Sequence, residues 1–263
     1  MTAWGYFPNI EKGIKDFIFK IIGHPHPNGK VRARYVRKFI DTKRKTLDIG
    51  CGEGVFYYEL TKRKCSIIGI DYSKEALTNM TLKLKNVGIR PMVVNADAQK
   101  LPIKSSAFDQ IVCLDVIEHL KDANASIKEM SRVLKKNGVL ILSVPNELYL
   151  TKPILPINFE EHLRAIGHET AGFNYKELKN MLQSNGFKAV NYCYYIKFFG
   201  RLMTELTFWI IGAKNIWKAR TKMYGYSYKA FLVFILTYPM LLLDDLFPNK
   251  NGGFLIVKAI KLK

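Results

Sequence analysis

Short apolar runs alternate with helix-compatible stretches through the middle of the chain. The stretches Lys74–Asn86 and Ala123–Lys135 are of this helical type, and each lies between two apolar runs. Strands that alternate with helices in this way form parallel sheets with helices on both faces. The pattern therefore predicts an α/β fold, with five strands in this region: Thr46–Gly50, Ile67–Asp71, Pro91–Val94, Phe108–Leu114 and Gly138–Val144.

A long interruption separates the last two predicted strands. A helix over Asn174–Asn185 precedes a sixth strand over Lys188–Ile196, and a final strand is predicted over Gly253–Ile260. The chain between these two strands is rich in apolar residues and is interpreted as a helical cap. The predicted parts are a basic N-terminal helical segment (1–45), a core (46–196), the cap insertion (197–252) and a final core strand (253–263).

Composition and charge limit the kinds of protein and of binding partner that fit this sequence. The chain has 263 residues, of which 48% are hydrophobic and 24% charged, so it can bury a core and is not disordered. Its 41 Lys and Arg against 22 Asp and Glu give a net charge of +19. Residues 1–46 and 197–263 each carry 11 basic and 3 acidic residues. This surface should attract nucleic acid, acidic lipid or a phosphorylated substrate.

Several kinds of protein are excluded by the sequence. The four cysteines form no C-x-x-C pair, which argues against a disulfide framework and a zinc cluster. Charged residues interrupt the apolar N-terminus, unlike a secretory signal. The longest uncharged stretch, Ala230–Leu243, has 14 residues and contains Pro239, whereas a spanning helix needs roughly 18. We expect a cytoplasmic protein, with attachment to the inner face of the membrane left open.

A glycine-rich loop follows the first predicted strand. Glycines at 50, 52 and 54 remove side chains where a ligand must approach the backbone. Their G-x-G-x-G spacing differs from the G-x-G-x-x-G fingerprint of dinucleotide-binding proteins. Asp48, two residues before the first glycine, is poorly placed for a phosphate but well placed for a ligand with an amino group.

Two more acids follow the next two strands. Asp71 ends the second strand, where a carboxylate can accept hydrogen bonds from both ribose hydroxyls. Asp97 follows the third strand and could accept from the exocyclic amine of adenine. Each acid taken alone could instead be a loop residue or a helix cap. The three acids in this order favour a nucleoside ligand.

Four stretches together resemble the class I S-adenosylmethionine-dependent methyltransferases. They are LDIGCGEG, IGIDYS, NADAQKLPIKSSAFDQIVCLDVIEHL and LKKNGVLILSVPN, in the order of that family's motifs. The resemblance is closest to the small-molecule branch that includes the quinone O-methyltransferases. It implies a Rossmann-like, seven-stranded, mostly parallel sheet whose last strand is antiparallel, and S-adenosylmethionine (SAM) as the cofactor.

The resemblance also implies roles for individual residues. Those at the methionine end of SAM would be Asp48, Gly50, Cys51, Gly52 and Leu114, with Asp115 beside Leu114 at the mouth of the substrate pocket. Those at the nucleoside end would be Asp71 on the ribose, Tyr72 against the adenine, and Asp97 and Ala98 at the adenine edge.

Three candidate catalytic residues follow the fourth strand. Asp115, Glu118 and His119 have i, i+3 and i+4 spacing, so a helix would present them on one face. His119 could act as a general base. Alternatively, the three residues could form a Mg²⁺ site completed by His162 or His168. A third interpretation is structural, with His119 hydrogen-bonded near the cofactor.

The cap insertion bears on the acceptor of the methyl group. Residues 197–252 contain 12 aromatic, 8 basic and 3 acidic residues. Near the N-terminus, an apolar helix stripe is predicted from Ile14, Phe17, Ile18, Ile21 and Ile22. These elements could pack on each other, or rest on an anionic membrane and admit a polyprenyl, quinone or lipid-linked acceptor. RNA and a soluble sugar or metabolite are the alternative acceptors.

Overall fold

Seven strands form one sheet in the computed structural model, which describes residues 27–147, 154, 167–211, 238–248 and 250–262. The strands are β1 (Thr46–Ile49), β2 (Ile67–Asp71), β3 (Val93–Asn95), β4 (Phe108–Leu114), β5 (Leu134–Pro145), β6 (Phe187–Tyr195) and β7 (Phe254–Lys261). Their order is β3-β2-β1-β4-β5-β7-β6. Strands β1 to β5 pair in parallel, and β7 lies antiparallel between β5 and β6. The predicted seven-stranded sheet with an antiparallel last strand is confirmed.

Helices cover both faces of this sheet. They are α1 (Pro27–Val36), α2 (Val55–Thr61), α3 (Lys74–Asn86), α4 (Ala123–Val133), α5 (Tyr175–Ser184) and α6 (Phe198–Ile211), with 3₁₀ turns at Ile117–His119 and Asp244–Leu246. Apolar residues of α1, α2 and α3 are buried in one cluster, and those of α4 and α5 are buried in a second. Two separate apolar clusters are what a parallel sheet buried on both faces requires.

Side-chain caps fix where several helices begin. Ser73 accepts a hydrogen bond from the amide of Ala76 at the start of α3, and Asp122 accepts one from Ala125 at the start of α4. Asn174 and Glu177 form a reciprocal capping box at the start of α5.

Three predicted elements differ from the structure by two or more residues at one end, and one of them is β5, which begins at Leu134 and not at Gly138. The helix predicted over Ala123–Lys135 stops at Val133, because Leu134 is already extended and pairs with Phe108 of β4. The strand predicted over Pro91–Val94 begins at Val93, because the amide of Met92 donates to the Tyr57 hydroxyl at 3.0 Å.

The strand order reverses between β1 and β4. At such a switch point the connections leave toward opposite faces, and a crevice opens at the carboxyl ends of the two strands. The glycine-rich loop follows β1, and Asp115 follows β4. The fold therefore brings the predicted cofactor loop and the predicted catalytic residues to the same edge of the sheet.

The start of α6 is held by an acid 44 to 47 residues away. The carboxylate of Asp244, 1% exposed, accepts from the amides of Lys197 (2.7 Å), Phe199 (2.7 Å) and Gly200 (3.1 Å). The ammonium group of Lys197 donates to the carbonyl of Phe247 at 2.7 Å. Residues 238–248 are thus fastened to the first turn of α6. Within the described residues, no helix combines the length and apolarity needed to cross a bilayer.

Removing this cap should destabilise the protein. We expect Asp244→Ala to lower the free energy of unfolding by about 2 kcal/mol, because buried amides at a helix start lose their acceptor. Asp244→Asn keeps one carbonyl oxygen and should lose less. Urea unfolding followed by circular dichroism measures both. Equal stability of wild type and Asp244→Ala would contradict a capping role.

Candidate active site at the ends of β1 and β4

The glycine-rich loop leaves open space above its middle glycine. Gly50, Gly52 and Gly54 all have positive φ, at 71°, 52° and 82°. A Cβ atom added at Gly50 would come 2.1 Å from Val116 Cγ2, whereas one added at Gly52 would meet nothing within 4 Å. Gly50 is therefore required by packing in the protein itself. The space at Gly52 is available to a ligand.

Asp48 is a buried carboxylate beneath this loop. It is 3% exposed, and its Oδ2 has no hydrogen-bond partner among the described residues. Burial raises its pKa to about 8, the charge of Arg32 opposes this, and that of Asp71 adds to it. A buried carboxylate with an oxygen that has no hydrogen-bond partner among the described residues favours a cationic ligand, as the sequence predicts for Asp48.

Asp71 joins the loop to the end of β2. Its Oδ2 accepts from the amide of Gly52 at 2.7 Å, and its Oδ1 accepts from the amide of Ser73 at 2.8 Å. The side chain of Asn95 donates to the carbonyls of Asp71 (2.9 Å) and Tyr72 (2.7 Å). Asp71 is therefore held at the loop with acceptor capacity remaining for hydroxyl donors.

The predicted adenine side lies at the ends of β2 and β3. The ring of Tyr72 is 81% exposed, so a flat face is available to a ligand. Asp97 accepts from the amide of Gln99 at 2.8 Å, and Ala98 behind it is buried. These residues lie on the same edge of the sheet as Gly52 and Asp71.

Cys51 follows β1 and Leu114 ends β4, so both lie at the two strand ends that border the crevice. Both are nearly buried, at 8% and 7% exposed. Burial, followed by the charges of Asp48 and Asp71, raises the pKa of the Cys51 thiol well above its usual range. Cys51 is therefore an uncharged, apolar neighbour for a ligand in the loop.

The predicted helical face over Asp115, Glu118 and His119 is wrong. Asp115 has a φ of 56°, and the 3₁₀ turn of Ile117–His119 begins only after Val116. Left-handed backbone at a residue other than glycine is strained and is concentrated at functional sites. A tight turn, not an α-helix, brings these three residues together.

Asp115 is engaged by residues that the sequence analysis did not find. Arg32 of α1 donates to Oδ2, and the hydroxyl of Ser143 on β5 donates to Oδ1 at 2.6 Å. Ser143 also lies 3.2 Å from the hydroxyl of Tyr195 on β6. Arg32 is 83 positions from Asp115, so no local spacing could reveal the pair. Because the Arg32 guanidinium already pairs with Asp115 and would repel a metal ion, Asp115 is poorly placed to be a fourth metal ligand.

Arg32 brings a positive charge to the crevice. Its Nε is buried and has no hydrogen-bond partner among the described residues. Burial disfavours the charged form, but the charge and hydrogen bond of Asp115, together with Tyr195 and Asp48, outweigh burial, so the pKa of Arg32 is raised. The guanidinium can therefore take a second anionic partner from a ligand.

Glu118 is the most unusual carboxyl group of the site. It is fully buried, and neither side-chain oxygen has a hydrogen-bond partner among the described residues. Burial first, and then the charge of Asp115, raise the pKa of Glu118 well above the usual range, although its own backbone amide and then the charge of Arg32 oppose them. A buried acid with a raised pKa near a cleft is a candidate for proton transfer.

Two histidines flank Glu118. His119 Nδ1 lies 3.0 Å from the carbonyl of Gly167 and must donate to it, so Nε2 is the basic nitrogen of the neutral ring. The rings of His119 and His168 meet edge to face at 4.4 Å. His162, the other predicted metal ligand, lies outside the described residues.

The donors of Glu118, His119 and His168 all lie within 4.8 Å of one another. Two imidazoles with one carboxylate suit transition metals better than Mg²⁺, which prefers oxygen ligands. The donor set therefore fits the predicted Mg²⁺ site poorly.

Sequence comparisons place a known domain over this site. A family described as "Methyltransferase domain" matches residues 47–142. A probable S-adenosylmethionine-dependent methyltransferase of Mycobacterium tuberculosis is 30% identical over 156 residues, covering 58% of this chain and 52% of the relative. A ubiquinone biosynthesis O-methyltransferase of Pelagibacter ubique is 31% identical over 142 residues, covering 46% and 59%. The chain spans about half the length of the curated relatives it matches.

A solved structure supports the same fold. A SAM-dependent methyltransferase from Thermotoga maritima, described as a possible histamine N-methyltransferase, superposes with a TM-score of 0.59. The match covers 96% of this chain and 97% of the other, at 16% identity. At that identity the likeness concerns the fold alone.

Proposed function

We propose that this chain is a SAM-dependent methyltransferase that transfers the methyl group of SAM to an oxygen of a hydrophobic small molecule. The match of residues 47–142 to a methyltransferase domain and the order of the seven strands support this proposal. The observation that carries the proposal is the buried carboxyl group of Glu118, which lies without a hydrogen-bond partner among the described residues at the end of β4. A carboxylate at this position can take up the proton that an oxygen acceptor must lose.

Each part of SAM would have a partner among the described residues. The sulfonium and amino group would lie near Asp48, whose carboxylate becomes ionised next to a cation. The methionyl carboxylate would bind Arg32, and the ribose hydroxyls would bind Asp71. Tyr72 would pack on the adenine, with Asp97 and Ala98 at its edge, while Gly50, Cys51, Gly52 and Leu114 would lie along the methionine end.

The reaction would be a direct displacement. Bound SAM would supply its methyl group to the acceptor oxygen, and the electron pair of the carbon–sulfur bond would remain on the sulfur of the departing thioether. The acceptor proton passes to Glu118, whose ionised form the positive sulfonium favours. His119 is exposed and presents a basic Nε2, so it could pass the proton on to solvent. Alignment and exclusion of water supply the rest of the acceleration.

A hydrophobic acceptor is supported by the cap insertion. The insertion begins after β6 and ends before β7, and α6 within it reads FFGRLMTELTFWII. The ubiquinone O-methyltransferases among the relatives have names that point to a quinone acceptor of their own. RNA is the second candidate acceptor, because the net charge of +19 favours a polyanion.

Methyl-labelled SAM tests the proposed function. The protein is incubated with labelled SAM and an extract of its source cells, and the label is counted in the organic and aqueous phases. Label in the organic phase supports a hydrophobic acceptor. Label confined to the aqueous phase contradicts it, and nuclease treatment then separates RNA from a soluble metabolite.

Chelation should leave activity unchanged. Asp115 is occupied by Arg32 and Ser143, and the remaining donors are mostly imidazole, so we expect no requirement for Mg²⁺. The measurement is the rate in EDTA, with and without added Mg²⁺. Loss of activity in EDTA that Mg²⁺ restores would contradict the expectation and assign Glu118, His119 and His168 to a cation.

A further inference from the structure

A buried tyrosine, Tyr195, ends β6 with its hydroxyl directed at the neighbouring part of the sheet. The residue is 1% exposed, and its ring packs against the rings of Tyr35 on α1 and Phe254 on β7, at centroid distances of 5.9 and 5.1 Å. Burial is the largest cause that raises the pKa of Tyr195 well above its usual range, so the phenol is uncharged. Its hydroxyl oxygen lies 3.2 Å from the hydroxyl oxygen of Ser143 on β5.

The hydrogen bonds at Ser143 have a defined direction. Its hydroxyl donates to Oδ1 of Asp115 at 2.6 Å. A serine hydroxyl has one hydrogen to donate and two lone pairs that accept. Because that hydrogen is used on Asp115, Tyr195 must be the donor in its contact with Ser143. The backbone carbonyl of Ser143 also accepts from the amide of Asp115 at 3.0 Å. A chain of hydrogen bonds therefore runs from Tyr195 through Ser143 to Asp115.

The far end of this chain holds the guanidinium group of Arg32. Nη1 of Arg32 donates to Oδ2 of Asp115, whose own backbone is left-handed, with a φ of 56°. Such a backbone persists only where surrounding contacts hold it. Because a guanidinium is planar and rigid, fixing one nitrogen also fixes the directions of the other N–H groups. The buried Nε of Arg32 is one of these, and the opposite charge of Asp48 acts on the same side chain.

We propose that Tyr195 and Ser143 are positioning residues for the cofactor. Through Asp115 they fix the Arg32 guanidinium, so that its remaining N–H groups meet the carboxylate at the methionine end of SAM. The ammonium group at the same end of SAM would face Asp48, so the two side chains match the two charges of an amino acid. This inference rests on the proposed function only in taking SAM as the ligand.

Two ligands that differ by one group test the positioning role. Decarboxylated SAM keeps the nucleoside, the sulfonium and the amino group of SAM and lacks the carboxylate. Calorimetry with the full chain gives both dissociation constants. In Tyr195→Phe, which removes only the hydroxyl, we expect the affinity for SAM to fall about fivefold and that for decarboxylated SAM to change by less than about twofold. Ser143→Ala should have the same selective effect, and it gives a second readout if Tyr195→Phe does not fold. The double variant should lose no more than either single variant, because both residues act through one chain.

Tyr57→Phe is the matched control. Tyr57 is 2% exposed, and its hydroxyl is also hydrogen-bonded, to the carbonyl of Ile67 and the amide of Met92, at the starts of β2 and β3. Because these strand ends lie at the edge of the sheet opposite the crevice, the control should keep the wild-type preference for SAM over decarboxylated SAM.

The outcomes separate positioning from stability and from catalysis. An equal loss of affinity for both ligands in Tyr195→Phe would show a structural role and overturn the proposal, as would unchanged binding of SAM. Wild-type protein that bound the two ligands equally would overturn it too, because the carboxylate would then have no partner in Arg32. Wild-type protein that bound neither ligand would contradict both this proposal and the proposed function. Selective binding by a protein that methylates no acceptor would support the positioning role and contradict the proposed function.

Discussion

Replacing Glu118 with glutamine is expected to lower kcat by about 10²- to 10⁴-fold, the range that a positioned general base contributes. Glutamine has nearly the same shape and is uncharged, like the protonated acid that burial favours, so the fold should tolerate it. SAM affinity should stay within about threefold, because the change removes an interaction of the reacting acceptor and not of the cofactor. Steady-state turnover and calorimetry measure the two effects. Glu75→Gln, on the exposed first turn of α3, is the control.

The pH profile gives a second readout for Glu118. A base acts only when ionised, so kcat/KM of the wild type should rise with pH through the pKa of Glu118. Burial and the charge of Asp115 raise that pKa, so the rise should occur above the pH at which an ordinary glutamate titrates, about 4.3. Glu118→Gln should lack this rise. An unchanged kcat would mean that the acceptor needs no proton removed there.

The sheet and most of its helices could be predicted from the sequence because they depend on local pattern. The bounds of β2, β4 and α3 agree with the apolar runs and helical stretch that predict them. The errors occur where a contact with a residue distant in sequence determines where a helix or strand begins or ends. Leu134 is extended because it pairs with Phe108, and the amide of Met92 donates to the hydroxyl of Tyr57. Each partner is more than 20 positions away along the chain, so local secondary-structure propensity could not predict these boundaries.

The residues of the candidate site also fall into two groups: those that local sequence pattern predicts, and those that only contacts between distant residues bring together. The loop glycines and Asp71 follow consecutive strands, so topology alone brings them to one edge. Arg32 and Tyr195 reach Asp115 and Ser143 across 83 and 52 positions, and no spacing rule connects them. Asp115 itself was predicted on a helix, yet its left-handed backbone depends on the contacts that hold it. Sequence pattern finds the cofactor loop, and only the packed structure reveals the charge network beside it.

Substituting alanine for Gly52 should weaken SAM binding by about 10- to 100-fold while the protein stays folded. With φ at 52°, the residue lies in the left-handed region, where alanine costs about 1 kcal/mol relative to glycine. The added Cβ meets no atom of the described protein within 4 Å, so that conformational penalty should be the whole effect on the cofactor-free fold. The same Cβ would occupy the space where the methionine end of SAM is expected, which accounts for the loss of affinity. Calorimetry gives the dissociation constant, and thermal unfolding gives the stability.

Gly88 provides the matched control for this substitution. Its φ is 80°, and a Cβ added there also meets nothing within 4 Å, but it lies just after α3, away from the loop. Gly88→Ala should therefore carry a similar conformational penalty with no change in SAM affinity. If both variants bound SAM as tightly as the wild type, the open space above Gly52 would not be cofactor space. If both lost affinity equally, the loss would follow from destabilisation. Only a loss confined to Gly52→Ala places the cofactor over the middle glycine of the loop.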